Sequence, residues 1–304
     1  RAKTARYTLA VEFANDWIKI AQLGDQRGGA LKKIVIHKLT DLQAAPTIVK
    51  ALEAGGLRKG PVLAFIPRPL VTVRMLEFPS IDPAEIADMV DLQVARQTPY
   101  SRDEIIVDFK VLGSERDGYS RVMLVIVQSA VIRHRFGILE EAGLEVAQVS
   151  IGTEGILNWV AARVATPGQA GDLAVLDMDA AHADLCIMRN GHLAFNRAIA
   201  VGTQSFAAEG DAAQQRLFQE LARAIETFRN EVPGAKIERM IMTGGMTDAA
   251  PLIKQIQKEF GVTIEERPAW QDPAAAGLIQ NNPDMQGVSI TALLGAALRR
   301  RPLD

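Results

Sequence analysis

Leu173-Ala174-Val175-Leu176-Asp177 is an apolar run that ends on an acid, and Thr8-Leu9-Ala10-Val11-Glu12 has the same form near the start of the chain. Seven positions beyond each acid stands a second charged residue, Lys19 in the first stretch and Asp184 in the second. Such runs read as strands buried on both faces, and the same grammar follows each of them. After the first come Trp17 to Leu23, a Gly28-Gly29 turn, Leu31 to Leu39, and an apolar helical stripe from Ala44 to Ala54 closed by Gly55-Gly56. After the second come Ala183 to Met188, an Asn190-Gly191 hairpin turn, His192 to Ala200, and helical pattern through Asn230. Asn-Gly supplies the two positive φ angles that a two-residue hairpin requires. The unit is therefore duplicated: a hairpin, a third strand and a helix, with a carboxylate at the tip of strand one.

A different block separates the copies. Pro61 to Pro67 and Leu70 to Phe78 read as strands. Asp82-Pro83 then opens a helix to Gln97, with Asp82 as the cap, Pro83 in the first turn and Glu85 at the third position. Ile105 to Leu112 and Val122 to Gln128 form strands joined across Asp117-Gly118, followed by a helix from Ala130 to Ala142, a strand from Leu144 to Ser150 and a helix from Thr153 to Val164. Pro167 to Gly171 reads as a linker. The last third adds a strand at Ile237 to Thr243, a Gly244-Gly245 turn, a helix at Ala249 to Phe260 and a strand at Val262 to Glu265. In the final helix, Ser289 to Arg300, the small residues Ala292, Gly295, Ala296 and Ala297 call for close packing against a neighbour.

Composition removes several function classes. At 304 residues the chain is long enough for two lobes. The longest apolar run, Val122 to Val127, is strand-sized and far short of a membrane span. With 34 Lys plus Arg against 36 Asp plus Glu, the net charge of -2 gives no field that would draw the protein to nucleic acid. A single cysteine, Cys186, excludes an internal disulfide and a multi-thiolate zinc site, and fits a reducing compartment. The four histidines have no metal-ligand spacing, and neither a nucleophile elbow nor a Walker loop is present, so no catalytic and no metal residue is assigned. What remains is the pair of strand-end acids, Glu12 and Asp177, with Thr243-Gly244-Gly245 after a later strand. By spacing alone, the glycines serve a strand-to-helix turn as readily as a ligand.

Two acid-tipped hairpins and a glycine turn resemble the nucleotide cleft of the actin-like ATPase superfamily. The resemblance sharpens in Met75-Leu76-Glu77-Phe78-Pro79, the helix Asp82 to Gln97, Thr98-Pro99-Tyr100 and Val107-Asp108-Phe109-Lys110-Val111-Leu112. It continues through Arg189-Asn190-Gly191-His192-Leu193, Ala224-Ile225-Glu226-Thr227-Phe228-Arg229 and Ala292-Leu293-Leu294-Gly295-Ala296-Ala297-Leu298. Taken in this order, these segments resemble the PilM family of type IV pilus assembly, with kinship to the cytoplasmic domain of GspL and to FtsA. The resemblance implies an α/β fold of the actin-like kind, two RNase H-like lobes with an inserted 1C-type subdomain. Lobe I would be residues 1–152 with the subdomain at 68–127, lobe II residues 153–287, and 288–304 a C-terminal helix packing back toward lobe I. It also implies a cleft that holds ATP and magnesium, and a cytoplasmic location at the inner face of the inner membrane through a PilN-like bitopic partner. The partner's N-terminal peptide would lie against the subdomain at Val73, Met75, Gln93, Gln97, Pro99 and Tyr100. Motor ATPases of the pilus and further copies of the chain are the other partners it suggests.

The cleft departs from the family where phosphate would lie. The family's Asp-x-Gly-Ser is here Glu12-Phe13-Ala14-Asn15, and its second Asp-x-Gly is Asp177-Met178-Asp179. A carboxylate about 4 Å from a phosphate oxygen costs on the order of 4 kcal/mol per charge pair at an effective dielectric near 20. The reading is thus a scaffold with a vestigial cleft made of Glu12, Asn15, Asp177, Asp179, Thr243, Gly244 and Gly245, and no cofactor is expected. The alternatives are a working ATP-binding or ATP-hydrolysing switch on the same fold, and a small-molecule kinase, for which no substrate-side acid is found.

Overall fold

The computed structural model describes residues 7–14, 16–24, 31–39, 44–113, 117–164, 171–275, 278 and 287–298. Asn15, the Gly28-Gly29 turn, most of the Pro167 to Gly171 linker and the residues after Leu298 lie outside them. In chain order, β1 (Leu9–Phe13), β2 (Trp17–Leu23), β3 (Leu31–Lys38), α1 (Ala44–Ala54) and β4 (Val62–Ile66) form the first unit. β5 (Val71–Phe78), α2 (Pro83–Gln97), β6 (Ile105–Gly113) and β7 (Ser120–Gln128) form an insertion, and α3 (Ser129–Glu141), β8 (Val146–Ile151) and α4 (Gly152–Arg163) follow it. The second unit is β9 (Asp172–Met178), β10 (Ala183–Arg189), β11 (His192–Ile199), α5 (Thr203–Glu209), α6 (Asp211–Glu231) and β12 (Ile237–Gly244). α7 (Ala250–Phe260), β13 (Thr263–Glu266) and α8 (Thr291–Leu298) complete the fold.

The duplication read from the sequence is present in the sheets. One five-stranded sheet runs β3-β2-β1-β4-β8 and the other β11-β10-β9-β12-β13, the same order in each copy. β1 pairs antiparallel with β2 and parallel with β4, as β9 does with β10 and β12. The spacing of charged residues is a register mark: Glu12 lies opposite Lys19, and Asp177 opposite Asp184. Asn190 and Gly191, with φ of 52° and 80°, turn the chain between Arg189 and His192.

Local signals explain individual helix ends. Asp82 caps α2 by accepting from the backbone N–H groups of Ala84 (2.8 Å) and Glu85 (3.1 Å). Glu85 does not close the box on the cap directly; Ser80 Oγ accepts from Asp82 N and donates to Glu85. The helical pattern expected to run through Asn230 is broken into α5 and α6 at Gly210, whose φ of 52° no helix tolerates. α6 keeps its stripe on one side, burying Leu217, Leu221, Ala224, Ile225 and Phe228 over the second sheet.

The small residues of α8 act as expected. Every residue of that helix is buried, and its Gly295 lies so close to α4 that a methyl group there would stand 1.7 Å from the Gly155 carbonyl oxygen. Gly155 is constrained from the other side: a Cβ there would stand 2.6 Å from Ala292 Cα. The insertion is a three-stranded sheet, β5-β7-β6, with α2 on one face. Because side chains alternate along a strand, Val122, Leu124 and Ile126 pack under α2 while Met123, Val125 and Val127 face lobe I.

Candidate functional site: a closed cleft and an open groove

The tips of the two hairpins meet between the lobes, and the carboxylates expected there are brought together. Lys19, on β2, is buried and donates to Glu12 Oε2 at 2.9 Å and to Asp179 Oδ2 at 2.7 Å, a contact spanning the two units. Asp179 Oδ1 accepts the backbone N–H of Ser289 at 2.8 Å. Ser289 Oγ in turn donates to both oxygens of Asp177 (2.7 and 3.0 Å), and Thr291 Oγ1 donates to Asp177 Oδ1 at 2.8 Å. Thr243 Oγ1 lies 3.4 Å from Thr291 Oγ1, at the edge of the same network.

Electrostatics divides these acids. Burial works against the Asp179 carboxylate, but the Lys19 ammonium, His182 and the hydrogen bonds outweigh it and hold its pKa below the ordinary value. Glu12 is pushed above the ordinary value by burial, with the nearby Asp179 charge adding to it, in spite of Lys19. Burial likewise raises Asp177 to about 7, although the Ser289 and Thr291 hydroxyls pull the other way. Asp184 is raised well above its ordinary value by burial, and its Oδ1 has no hydrogen-bond partner among the described residues.

As arranged, these residues do not fit a nucleotide's phosphates. Lys19 already holds two carboxylates. The cavity between the hairpins, bounded by Ala14, Trp17, Leu70, Asp179 and His182, has a volume of about 20 Å³, room for about one water. The Phe13 and Ala14 carbonyls at the first tip accept from the Arg135 guanidinium, which also sits 4.9 Å above the Phe13 ring. The glycine turn is taken up by the chain itself. Gly244, at φ 100°, passes so close to Met178 that a Cβ would lie 2.3 Å from its carbonyl oxygen, and one on Gly245 would lie 2.3 Å from Val288 N. Among the described residues, no cluster of three or more His, Cys, Asp or Glu side chains is disposed to hold a metal ion.

A second feature lies between the insertion and lobe I. The lobe-I-facing side of the small sheet, Met123, Val125 and Val127 with Ile106, stands over Phe136 of α3 and Val149 of β8, enclosing about 210 Å³ of apolar space. Asp108, Lys110 and Glu154 form its charged mouth, with Lys110 Nζ 3.0 Å from Glu154 Oε1. Both β6 and β8 are edge strands of their sheets. Ile106 and Val149 remain 47% and 42% exposed.

The six residues expected to meet a partner peptide do not form one surface. Val73 is buried and Met75 partly buried on the lobe-I side of the small sheet, whereas Gln93 and Gln97 belong to α2 on its other face. Pro99 and Tyr100 border a separate outer hollow with Leu92 and Asp91. Ile106, Phe136, Val149 and Glu154, which line the groove, each read by themselves as ordinary strand or helix alternation. In the sequence Lys19 serves only as a mark of the copies' alignment.

A family model described as type IV pilus assembly protein PilM matches residues 32–209. No curated protein matches the chain. Among solved structures, a PilM–PilN type IV pilus biogenesis complex aligns over 96% of this chain and 98% of that chain, at 20% identity and a TM-score of 0.79. A protein of unknown function with an actin-like ATPase fold, from Bacteroides thetaiotaomicron, aligns over 95% of each chain at 12% identity and a TM-score of 0.56. The cytoplasmic domain of EpsL, an inner-membrane component of the Vibrio cholerae type II secretion system, aligns over 78% of this chain and 82% of that chain at 12% identity and a TM-score of 0.49. The duplicated sheets and the inserted subdomain are thus an actin-like fold, and the chain belongs to the PilM family of type IV pilus assembly proteins.

Proposed function

We propose that this protein is a non-catalytic scaffold of the pilus assembly platform, which holds the extended cytoplasmic tail of a PilN-like bitopic membrane protein in the groove between its inserted subdomain and lobe I. The observation that carries this reading is an apolar groove flanked by the outer edges of β6 and β8, which pair with no further strand among the described residues. A tail lying there can hydrogen-bond along an edge while burying alternate side chains against Ile106, Phe136 and Val149. The PilM–PilN complex among the similar structures supports the choice of partner. Lobe I is read as 1–152 with the subdomain at 68–127, lobe II as 153–287, and 288–304 as the returning helix. Attachment at the inner membrane is read as coming through this partner; among the described residues no helix is long and apolar enough to cross a membrane.

The interlobe cleft is read as vestigial, its acids serving the fold. The test of the groove is a fluorescence titration with a peptide copying the cytoplasmic N-terminus of the PilN-like protein from the same host. Val149→Glu places a charge on an exposed position and is expected to weaken binding at least tenfold, about 1.4 kcal/mol, with unchanged circular dichroism. Tyr100→Ala, on the outer hollow, is expected to bind like wild type. Equal binding by wild type and Val149→Glu would sink the groove; loss in Tyr100→Ala alone would move the site to the α2 side.

A further inference from the structure

Asp179 is held from four directions. Its backbone N–H donates to the His182 carbonyl at 2.9 Å, and its own carbonyl accepts from Thr203 N, at the start of α5, at 2.9 Å. Its side chain takes the Lys19 ammonium on one oxygen and the Ser289 backbone N–H on the other. Only 4% of the residue is exposed, and Lys19 is 1% exposed. An ammonium and a backbone N–H converging on one buried oxyanion are the donor set with which proteins hold phosphate or carboxylate ligands. Here the donors come from β2 of lobe I and from the segment entering α8, while the anion belongs to lobe II. Glu12 approaches the same ammonium from the lobe I side.

We propose that Asp179 is a built-in anion: its carboxylate fills an oxyanion site made by Lys19 Nζ and Ser289 N–H, latches the two lobes in the closed form without any bound ligand, and excludes phosphates from solution. This deepens the reading of a vestigial cleft and rests on it. The tether makes the exclusion effective. An internal carboxylate meets its site at the high effective concentration of a short linkage, whereas a phosphate from solution must give up translational and rotational freedom and expel Asp179 first. The opposite loss is informative. Without the Asp179 carboxylate, the ammonium and the N–H remain as an empty anion site, and a small anion added in solution can occupy it.

The experiment is chemical rescue followed by thermal unfolding. Asp179→Ala is expected to unfold roughly 5 to 10 °C below wild type, the loss of one partner of a buried pair. Formate or inorganic phosphate at tens of millimolar is expected to restore several degrees of this, with no comparable effect on wild type. The double variant Asp179→Ala with Lys19→Met is expected to lose the response. Should Asp179→Ala not fold, Asp179→Asn keeps the shape without the charge. Labelling of Lys19 by an amine-reactive ester, read by mass spectrometry, is then expected to rise at least tenfold over wild type. An Asp179→Ala protein as stable as wild type, an anion response equal in all variants, or Lys19 labelling that Asp179→Asn leaves unchanged overturns the built-in anion. Micromolar binding of Mg-ATP by wild type, measured in parallel, would overturn the vestigial cleft itself, so the two failures are distinguishable.

Discussion

The two hairpins share one register and solve opposite electrostatic problems. In the first, the acid Glu12 faces the base Lys19, so the copy carries its own counter-charge. In the second, Asp177 faces Asp184, an acid against an acid. That copy must bring help from a distance: Ser289 and Thr291 hydroxyls for Asp177, and Lys19 of the other copy for Asp179. Asp184 gets less, with the Arg68 guanidinium acting on it as counter-charge and one oxygen without a hydrogen bond among the described residues. A duplicated backbone therefore does not duplicate chemistry. The second copy has become dependent on the first and on the segment entering α8, and this dependence ties the lobes together.

The largest effect should come from removing the shared base. Lys19→Met preserves length and most of the volume but leaves the Asp179 charge buried without its ammonium partner, which typically costs 3–5 kcal/mol, about the effect of breaking a buried pair from one side. Urea unfolding would measure it. A loss below about 1 kcal/mol would mean that the interlobe bridge is open to water, and the contrast between the hairpins would lose its energetic content.

A pH series on Asp177 probes the acid-against-acid copy. Its folded pKa is raised from 3.8 to about 7, mainly by burial. A raised carboxyl favours the fold fully below the unfolded value, and that contribution is lost as pH climbs through about 7. Asp177→Asn removes the titration. Relative to wild type, the variant should therefore gain on the order of 2 kcal/mol between pH 5 and pH 8, read from paired urea titrations. The other buried charges facing this group, Asp179, Lys19 and Asp184, are common to both proteins, so they cancel to first order in the difference. A flat difference across this range would show Asp177 ionised and solvated in the fold.

Much of the architecture was legible because it rests on short-range rules. Glycine stops, strand alternation and the Asp82 cap each act within a few positions, and the small residues of α8 mark a face for close packing without naming its partner, α4. The equal Glu12–Lys19 and Asp177–Asp184 spacings align the two copies with each other, and antiparallel pairing makes the same residues cross-strand partners. What was hidden lies in contacts that spacing does not encode. Asp179 reads as an intruder in a phosphate loop until Lys19, 160 positions away, is placed on it. Gly244 and Gly245 read equally as a ligand turn or a backbone turn, and only their approach to Met178 and Val288 shows what crowds them. The groove was hidden for another reason. Its walls come from β6, β7, α3 and β8, and each contributes residues indistinguishable from core until two sheet edges are left side by side.

The smallest effect should be found at Glu12, and it sharpens the comparison most. Both Glu12 and Asp179 touch Lys19, at 2.9 and 2.7 Å, so geometry alone would rank them as near equals. Their electrostatics does not: Asp179 is held below its ordinary pKa, while burial pushes Glu12 above its own. One ammonium balances one carboxylate, and Asp179 is the better placed, with Ser289 N–H on its other oxygen. Glu12→Gln keeps the shape and leaves an amide oxygen able to accept from Lys19, so at pH 6 its cost should be within about 1 kcal/mol, the range of a single neutral hydrogen bond. Asp179→Asn, by contrast, leaves Lys19 charged with only the reluctant Glu12 beside it, and should cost about 2 kcal/mol more, by the premium of a buried charge-assisted pair. Urea titrations of the two variants side by side measure the asymmetry. Equal losses would mean that the proton is shared evenly between the two acids, and that the first hairpin depends on the second as much as the second depends on the first.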